Sequence, residues 1–242
     1  MPVVVTGADS PLGELVIDRL AGRGLDLRAT VDSRDAVQPL VDRGVKTAVS
    51  DLVDTERFGA VLEDAHTIIH LRGVDAARIL AGVPDVIAAL PDSGVERIVT
   101  LSGFGLEQHP ALQELRDTGL DVVVFRVGVV LAPLSDPRAA RPHVPPSAEI
   151  APLYVDDLAD ALVAADHLRD LHGYTEIDAV GSDVVTGRQL DDVLGTRTGL
   201  LARVRRSRGD SVPMVGDRGA RMAQLLDVRP MSLADAVAVA VR

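Results

Sequence analysis

The feature that most constrains the fold of this chain is a series of short segments that are apolar on both faces of a strand. They include VVV, TIIHL, RIVTL and DVVVF, and segments with helical periodicity separate them. Strands of this kind are typical of a parallel sheet that helices cover on both sides. The 242 residues, 47% of them hydrophobic, are enough for one sizeable α/β domain. The sequence therefore predicts a doubly wound α/β fold with a parallel sheet.

The predicted elements alternate regularly over the first half of the chain. Strands are expected near Val3–Val5, Asp26–Val31, Val45–Val49, Thr67–Leu71, Arg97–Leu101, Asp121–Arg126 and Tyr174–Ala179. Helices are expected near Leu12–Gly22, Arg34–Arg43, Thr55–Glu63, Asp75–Leu90, Ala111–Thr118 and Asp156–Leu168, and the pairs Thr186/Gln189 and Ser232/Asp235 indicate the caps of two more. Beyond Val127 the pattern loosens, and the Pro-rich stretch Pro133–Pro152 predicts a loop that covers or lines the functional site.

The first strand runs into a turn with two glycines, Gly7 and Gly13, and a serine, Ser10, midway between them. Glycine permits the turn and close packing of the following helix, and the amides at the helix start favour a diphosphate. Ser10 is expected to allow nearly the same approach and to add a hydroxyl donor. Asp32 follows Gly7 by 25 residues, where a carboxylate accepts hydrogen bonds from an adenosine ribose. NAD is therefore the predicted cofactor. NADP is the alternative, because a guanidinium such as that of Arg34 pairs with a 2′-phosphate.

The candidate cofactor-binding residues follow the carboxyl ends of the strands, where parallel sheets bind their ligands. They are Gly7, Ser10, Pro11, Leu12, Gly13, Asp32, Arg34, Asp51, Leu52, Leu71 and Gly73. Within this set, Asp51 is expected to meet the amino group of the adenine.

Charge and composition argue against several classes of partner. The net charge of −11 disfavours nucleic acid and anionic membranes, because no basic stretch is long enough to offset phosphate repulsion. No apolar run reaches the roughly 20 residues of a membrane span, and no segment resembles a signal peptide, so a cytoplasmic protein is expected. The chain has no cysteine, and its six histidines lack metal-binding spacing, so no metal site is predicted.

Several motifs extend the pattern over nearly the whole chain: TGADSPLG, IIHLRG, ERIVTLSG, VVFRVGVVLAP, LYVDDLADALVAA and ARMAQLLDVRPMSLADAV. Together they resemble the NAD-dependent epimerase/dehydratase branch of the extended short-chain dehydrogenases/reductases. The resemblance implies a Rossmann-fold part, residues 1–132, and a C-terminal part, residues 133–242, with a lid-like loop and a small substrate-binding region. It also implies a nicotinamide cofactor and a small-molecule substrate. Long helices of this fold often pair between subunits, so a homodimer is a further expectation.

The catalytic pair of that family has no counterpart in this chain. The family uses a Tyr-x-x-x-Lys motif, in which the tyrosine donates or accepts a proton and the lysine lowers its pKa. The only lysine here is Lys46, expected at the amino edge of the third strand, and neither Tyr154 nor Tyr174 is followed by lysine at the fourth place. Alignment on the following helix puts Phe104 and Gln108 roughly where tyrosine and lysine would stand.

Three residues are candidates for the polar roles of an active site. Ser102 matches a family serine at the end of the fifth strand, and capping of local backbone is its alternative role. His109 begins a shortened segment and either replaces the missing acid or starts a helix as an exposed residue. Arg72 is expected where the nicotinamide half passes, and either binds an anion or forms an outward salt bridge.

Three functions remain open from the sequence. The first is an atypical NAD(P)-dependent enzyme that acts on a small oxygenated metabolite. The others are a catalytically inactive NAD(P)-sensing regulator and a non-redox isomerase, cyclase or dehydratase on the same scaffold. The missing Tyr/Lys pair favours the latter two, whereas the cofactor turn with a substrate-like C-terminal region favours the first and the third.

Overall fold

The computed structural model describes residues 2–50, 52–71, 79–91, 93–132, 144–168, 170–198 and 215–240. Three candidate residues, Asp51, Arg72 and Gly73, lie outside the described residues. The first part of the predicted Pro-rich loop, residues 133–143, lies outside them as well. All the other candidate residues are described.

A seven-stranded sheet forms the centre of the fold. Its strands are β1 (Val3–Thr6), β2 (Leu27–Val31), β3 (Lys46–Val49), β4 (Thr67–His70), β5 (Arg97–Gly103), β6 (Asp121–Val127) and β7 (Tyr174–Ala179). Their order across the sheet is β7-β6-β5-β4-β1-β2-β3. β1 pairs in parallel with both β2 and β4, and the pairs β2/β3 and β4/β5 are also parallel.

The strand order confirms the predicted doubly wound fold. The chain winds outwards from β1 to β3, returns to β4 beside β1, and then winds in the other direction. The winding reverses between β1 and β4, and ligands of such sheets bind at the carboxyl ends of the strands beside this point. All seven strands were predicted within two residues at each end. In β1, β4 and β5 nearly every residue is buried, as expected of strands covered on both faces, whereas β3 is only partly buried.

The helices are α1 (Pro11–Ala21), α2 (Val37–Val41), α3 (Thr55–Leu62), α4 (Val83–Ala88), α5 (Pro110–Asp117), α6 (Val155–His167), α7 (Gly187–Thr198), α8 (Ala220–Leu226) and α9 (Leu233–Ala240). The caps predicted for α7 and α9 are confirmed, since Gln189 N donates to Thr186 Oγ1 at 3.3 Å and Asp235 N donates to Ser232 Oγ at 3.2 Å. Across the described ranges, no helix has both the length and the apolar composition needed to cross a membrane.

Two predicted helices differ from the observed ones. The helix expected over Arg34–Arg43 is a 3-10 turn, Arg34–Ala36, followed by the short α2. Ser33 accepts a hydrogen bond from Asp35 N and so starts the tighter turn. The helix expected over Asp75–Leu90 is represented, among the described residues, by the six residues of α4, which begin after Gly82.

The chain forms two compact units, each made from two pieces of the sequence. The first comprises Met1–Phe125 and Ala159–Ile177, and the second comprises Arg126–Leu158 and Asp178–Arg242. The second unit has its own apolar core, which includes Val129, Ile150, Tyr154, Leu190 and Val237. Two pairs of two-residue strands also lie there, Val130–Leu131 with Leu153–Tyr154 and Glu149–Ile150 with Val185–Thr186. The predicted division at residue 132 stays a prediction.

Candidate functional site

The turn after β1 brings the start of α1 against the backbone of the strand end. Gly7 has a φ of +66°, a left-handed conformation that favours glycine. A Cβ on Gly13 would lie 2.3 Å from Gly7 O and 2.7 Å from Ala8 Cα, so this position accepts only glycine without a shift of the backbone. Both glycines therefore have the structural roles predicted for them, and the close approach leaves the helix start at the carboxyl edge of the sheet.

The amides of this helix start are largely used by the chain itself. The hydroxyl of Ser10 donates to Gly7 O at 2.7 Å and accepts from Gly13 N at 3.0 Å, so its hydrogen is already committed within the turn. Pro11 is the first helical residue and has no N–H. Among the described residues, Leu12 N is the first-turn amide that meets no acceptor. The turn thus offers an anion one free amide and the positive end of the helix dipole.

The turn after β2 is held by a side chain that the sequence analysis did not identify. Asp9 Oδ2 accepts hydrogen bonds from Asp32 N at 3.0 Å and from Ser33 N at 3.2 Å. Asp32 and Arg34 are exposed directly after the strand, where the sequence placed them. An aspartate in a loop sequence carries no signal of its own that distinguishes this contact, because the partner lies 23 residues further along the chain.

Two further cofactor candidates are buried. Leu52 has a φ of +69°, and its N–H donates to Ser50 Oγ at 3.1 Å. Leu71 follows β4, and its N–H lies 3.3 Å from both the carbonyl and the hydroxyl oxygen of Thr6. These contacts fix the backbone at the ends of β3 and β4. Binding of a cofactor by either residue stays a prediction.

A buried polar chain crosses the centre of the sheet beneath the site. His70 Nδ1 lies 2.7 Å from Thr6 Oγ1, and Thr100 Oγ1 donates to His70 O at 3.1 Å. A Cβ on Gly82 would lie 2.9 Å from His70 Cε1, so Gly82 provides the room for the imidazole ring. These contacts explain His70 as a packed structural histidine.

Ser102 has a side chain whose hydrogen bonding is incomplete within the described residues. The residue lies near the carboxyl end of β5 and is 1% exposed. Its Oγ has no hydrogen-bond partner among the described residues. Leaving a buried hydroxyl unpaired costs about 1–3 kcal/mol, so such a group in a native fold calls for an explanation. A ligand oxygen at the carboxyl edge would supply the missing partner.

The other described catalytic candidate, His109, has a local partner. It is the N-terminal cap of α5, and its Nδ1 accepts a hydrogen bond from Ala111 N at 3.3 Å. The ring is exposed. This geometry explains the residue by helix capping, and a catalytic role for His109 stays a prediction.

The lysine and the two tyrosines of the chain do not form a catalytic Tyr/Lys pair. Lys46 begins β3, and its Nζ lies 2.8 Å from Asp26 Oδ1, at the amino edge as predicted. Tyr174 donates to Glu176 Oε1 at 2.8 Å. Burial, reinforced by the carboxylates of Asp156 and Asp157, raises the pKa of Tyr154. The pKa shift of Tyr154 is thus opposite in direction to the lowering that the resemblance implies for a catalytic tyrosine.

A cavity of about 450 Å³ lies within the first unit, at the amino edge of the sheet. Three histidines line it, and each has a ring nitrogen 3.2 or 3.3 Å from a carboxylate oxygen: His66 with Glu96, His167 with Asp166, and His172 with Asp121. The pairs are internal to the protein. The cavity therefore lies apart from the unpaired polar groups of the carboxyl edge.

The turn after β1 begins a region that is similar to a known protein family. Residues 7–124 match the family model described as NAD(P)H-binding. The match begins at Gly7, directly after β1, and ends within β6, so it includes the turn after β1 and the strands β2 to β5. No curated protein matches the chain.

Several solved structures are similar to this chain over nearly its whole length. The chain is similar to a UDP-glucuronic acid 4-epimerase from Bacillus cereus in complex with UDP-glucuronic acid and NAD (15% identity, 100% of this chain and 98% of that chain, TM-score 0.77). It is also similar to an NADPH-dependent quinone oxidoreductase from Escherichia coli in complex with NADPH (16% identity, 99% and 100%, TM-score 0.76). A UDP-glucose 4-epimerase from Thermotoga maritima gives 16% identity, 100% and 97%, with a TM-score of 0.78.

These likenesses confirm the predicted resemblance at the level of the fold. The protein has the Rossmann-like fold of these structures, and residues 7–124 match the NAD(P)H-binding family model. One of the similar structures contains NAD and another contains NADPH, so the fold alone leaves the choice of dinucleotide to the residues of this chain.

Proposed function

We propose that this protein is an NAD(H)-dependent enzyme that acts on a small oxygenated metabolite. The observation that carries the proposal is the buried hydroxyl of Ser102, which lacks a partner among the described residues and lies on the same sheet edge as the Gly7 turn. A protein that only bound the dinucleotide would have no need to keep an unpaired hydroxyl there, at a cost in stability.

The described residues fit a dinucleotide at this edge. Gly13 lets the start of α1 lie close against the β1 turn, and Leu12 N, which meets no acceptor among the described residues, would donate to a diphosphate there. Asp32 is exposed at the end of β2, where it would accept hydrogen bonds from the ribose hydroxyls. When bound, the nicotinamide supplies or accepts a hydride. The binding roles of Gly7, Ser10, Leu52, Leu71 and the undescribed candidates belong to the same proposal.

Ser102 would bind and orient the reacting oxygen of the substrate. Its Oγ–H is a donor, and a hydrogen bond to that oxygen becomes stronger as negative charge develops on it. Because the site is buried, water competes little for this bond. The proton that a carbonyl substrate finally gains would come from another group or from water, since Lys46 pairs with Asp26, Tyr174 donates to Glu176, and burial raises the pKa of Tyr154.

The test combines a substrate screen with a matched pair of serine variants. Wild-type protein with NADH is screened against small aldehydes, ketones and quinones for loss of NADH absorbance. With an active compound, Ser102→Ala should lower kcat by about a hundredfold, while the Kd for NADH stays within about threefold. Ser93→Ala is the control, because Ser93 is also buried but its Oγ accepts from Val95 N at 3.2 Å near the amino end of β5. Equal kcat values for the wild type and Ser102→Ala would contradict the proposal.

A dinucleotide-binding regulator is the second candidate, and the position of Lys46 favours it. The single lysine of the sequence is paired with Asp26 at the amino edge, so a lysine cannot hold the nicotinamide ribose as in the family. This candidate predicts calorimetric binding of NADH together with no turnover of any compound in the screen.

A further inference from the structure

The turn after β2 has the form of an anion-binding site that the protein fills with its own carboxylate. Two successive amides, Asp32 N and Ser33 N, point at one oxygen, Asp9 Oδ2, at 3.0 and 3.2 Å. Successive backbone N–H groups that converge in this way form a concavity suited to an anion. Asp9 completes it from the neighbouring turn, two residues after Gly7.

This turn lies where the NAD(P)H-binding domain meets the adenosine half of its ligand. β2 pairs with β1 in parallel register, so the turns that follow the two strands lie side by side at the carboxyl edge. A 2′-phosphate on the adenosine ribose would need amide donors or cations at the end of β2. Both amides are taken by Asp9, and Asp32 adds a second carboxylate at the same place.

We propose that Asp9 is a specificity-determining residue, which excludes NADP(H) because its carboxylate occupies the two amides that a ribose phosphate would otherwise use. The inference rests on the proposed function, in which a dinucleotide binds at the carboxyl edge. A phosphate that approached this turn would find no free amide at Asp32 or Ser33, and would meet the negative charge of Asp9. The selected ligand class is a nicotinamide dinucleotide with an unphosphorylated adenosine ribose.

Arg34 does not reverse this preference in the native chain. It is exposed at the start of the 3-10 turn, and an exposed ion pair contributes little in water. Once the amides are released, however, the same guanidinium can complete a phosphate site by a charge-assisted hydrogen bond. Asp9 and Arg34 therefore act in opposite directions on one ligand group.

Three single variants separate the charge of Asp9 from its contacts. Asp9→Ala frees both amides and removes the charge, whereas Asp9→Asn removes the charge and keeps an oxygen that accepts from the amides. Asp35→Ala is the matched control, because it removes one exposed carboxylate from the same turn without releasing the two amides. A merely structural Asp9 would alter the binding of both dinucleotides equally.

The experiment is calorimetric titration of the wild type and the variants with NADH and with NADPH at one low ionic strength. We expect the wild type to prefer NADH by about tenfold or more, Asp9→Ala to reduce that ratio by about tenfold through tighter NADPH binding, and Asp9→Asn to reduce it by about threefold. Asp35→Ala should keep the ratio within about twofold. Adding Arg34→Gln to Asp9→Ala should remove the gain in NADPH binding.

The outcomes distinguish the inference from the function on which it rests. A wild type that binds neither dinucleotide contradicts the proposed function, and the specificity role with it. A wild type that binds NADH, with an NADPH/NADH ratio unchanged in Asp9→Ala or altered equally in Asp35→Ala, overturns the role of Asp9 alone. If Asp9→Ala does not fold, an unchanged ratio in Asp9→Asn overturns it.

Discussion

At the amino edge of the sheet, the guanidinium of Arg97 donates to three backbone carbonyls, whereas at the carboxyl edge the hydroxyl of Ser102 has no partner among the described residues. Arg97 Nη1 binds Ala165 O and Asp166 O at 3.1 Å, and Nη2 binds Leu171 O at 3.0 Å. Only its Nε lacks a partner in the described part of the chain. Both residues belong to β5 and both are buried, but the Arg97 side chain makes three hydrogen bonds to backbone carbonyls, whereas the Ser102 hydroxyl makes none to the described residues.

This difference in hydrogen bonding indicates the ligand-binding edge better than the position of the cavity does. The cavity at the amino edge is lined by histidines that already face carboxylates, and by an arginine that holds the end of α6. Groups that satisfy one another stabilise the fold, and a ligand would have to displace them. At the carboxyl edge, the amide of Leu12 and the hydroxyl of Ser102 meet no partner among the described residues. The contrast predicts that changes at one edge affect stability and changes at the other affect binding.

The largest expected effect is that of Arg97→Met at the amino edge. The substitution removes the Arg97 donor from three carbonyls and one of the donors from Asp121, so the free energy of unfolding should fall by about 3–5 kcal/mol, measured by urea denaturation. Arg28→Met is the control on the same edge, because Arg28 also donates to two carbonyls, Val61 O and Glu63 O. Its side chain is less buried, and its loss should cost about 1 kcal/mol.

Arg97→Met should leave NADH binding within about twofold of the wild type at a temperature where the variant is folded. Folded Arg97→Met protein that had lost its affinity for NADH would break the division of roles between the two edges.

A smaller effect is expected for Asp121→Asn, which also acts at the amino edge. Burial alone raises the pKa of Asp121, but the Gly173 amide, the His172 ring and the Arg97 guanidinium outweigh it and hold the pKa below its usual value. The stabilisation by the ionised carboxylate is therefore complete above the unfolded-state pKa, and is lost as the pH falls through the lower folded-state pKa.

At neutral pH, Asp121→Asn should be less stable than the wild type by about 1–2 kcal/mol. The gap should close when urea unfolding is repeated at decreasing pH across the acid range. A gap that stayed constant throughout that range would show that the charge of Asp121 makes no contribution.

The smallest expected effect concerns the carboxyl edge, where Pro11→Ala adds an N–H at the first position of α1. The additional donor should tighten NADH binding by about threefold to thirtyfold. Pro110→Ala is a closely matched control, since Pro110 is the first residue of α5 and lacks any proposed ligand. Both variants should change stability by similar small amounts, and only Pro11→Ala should change the heat of titration with NADH. Equal affinities would mean that no phosphate lies near this amide.

The fold was readable from the sequence because its signal is local. VVV and DVVVF, for example, identify β1 and β6 by composition alone. The paired strands Val130–Leu131 and Leu153–Tyr154 were missed, since two residues carry no periodicity. The expected start of α4 was also wrong among the described residues. Pro84, which lies in the first turn of α4, was the available signal for its start.

The site was readable only in part, because its decisive contacts join distant residues. The residue type of Gly7 and Gly13 was enough to predict their turn, and the turn has the predicted geometry. The contact of Asp9 with the β2 turn depends on the pairing of two strands, so no local sequence pattern indicates it. The hydrogen bonds of the Ser10 hydroxyl within its own turn were likewise not predicted, although serine is a common helix cap.

The position of Lys46 has a practical consequence for work with this protein. It is the only side-chain amine of the chain, it is 69% exposed, and it lies at the start of β3. Immobilisation or fluorescent labelling through this amine would therefore fix the molecule by the face opposite the Gly7 turn, and leave the carboxyl edge directed towards the solution.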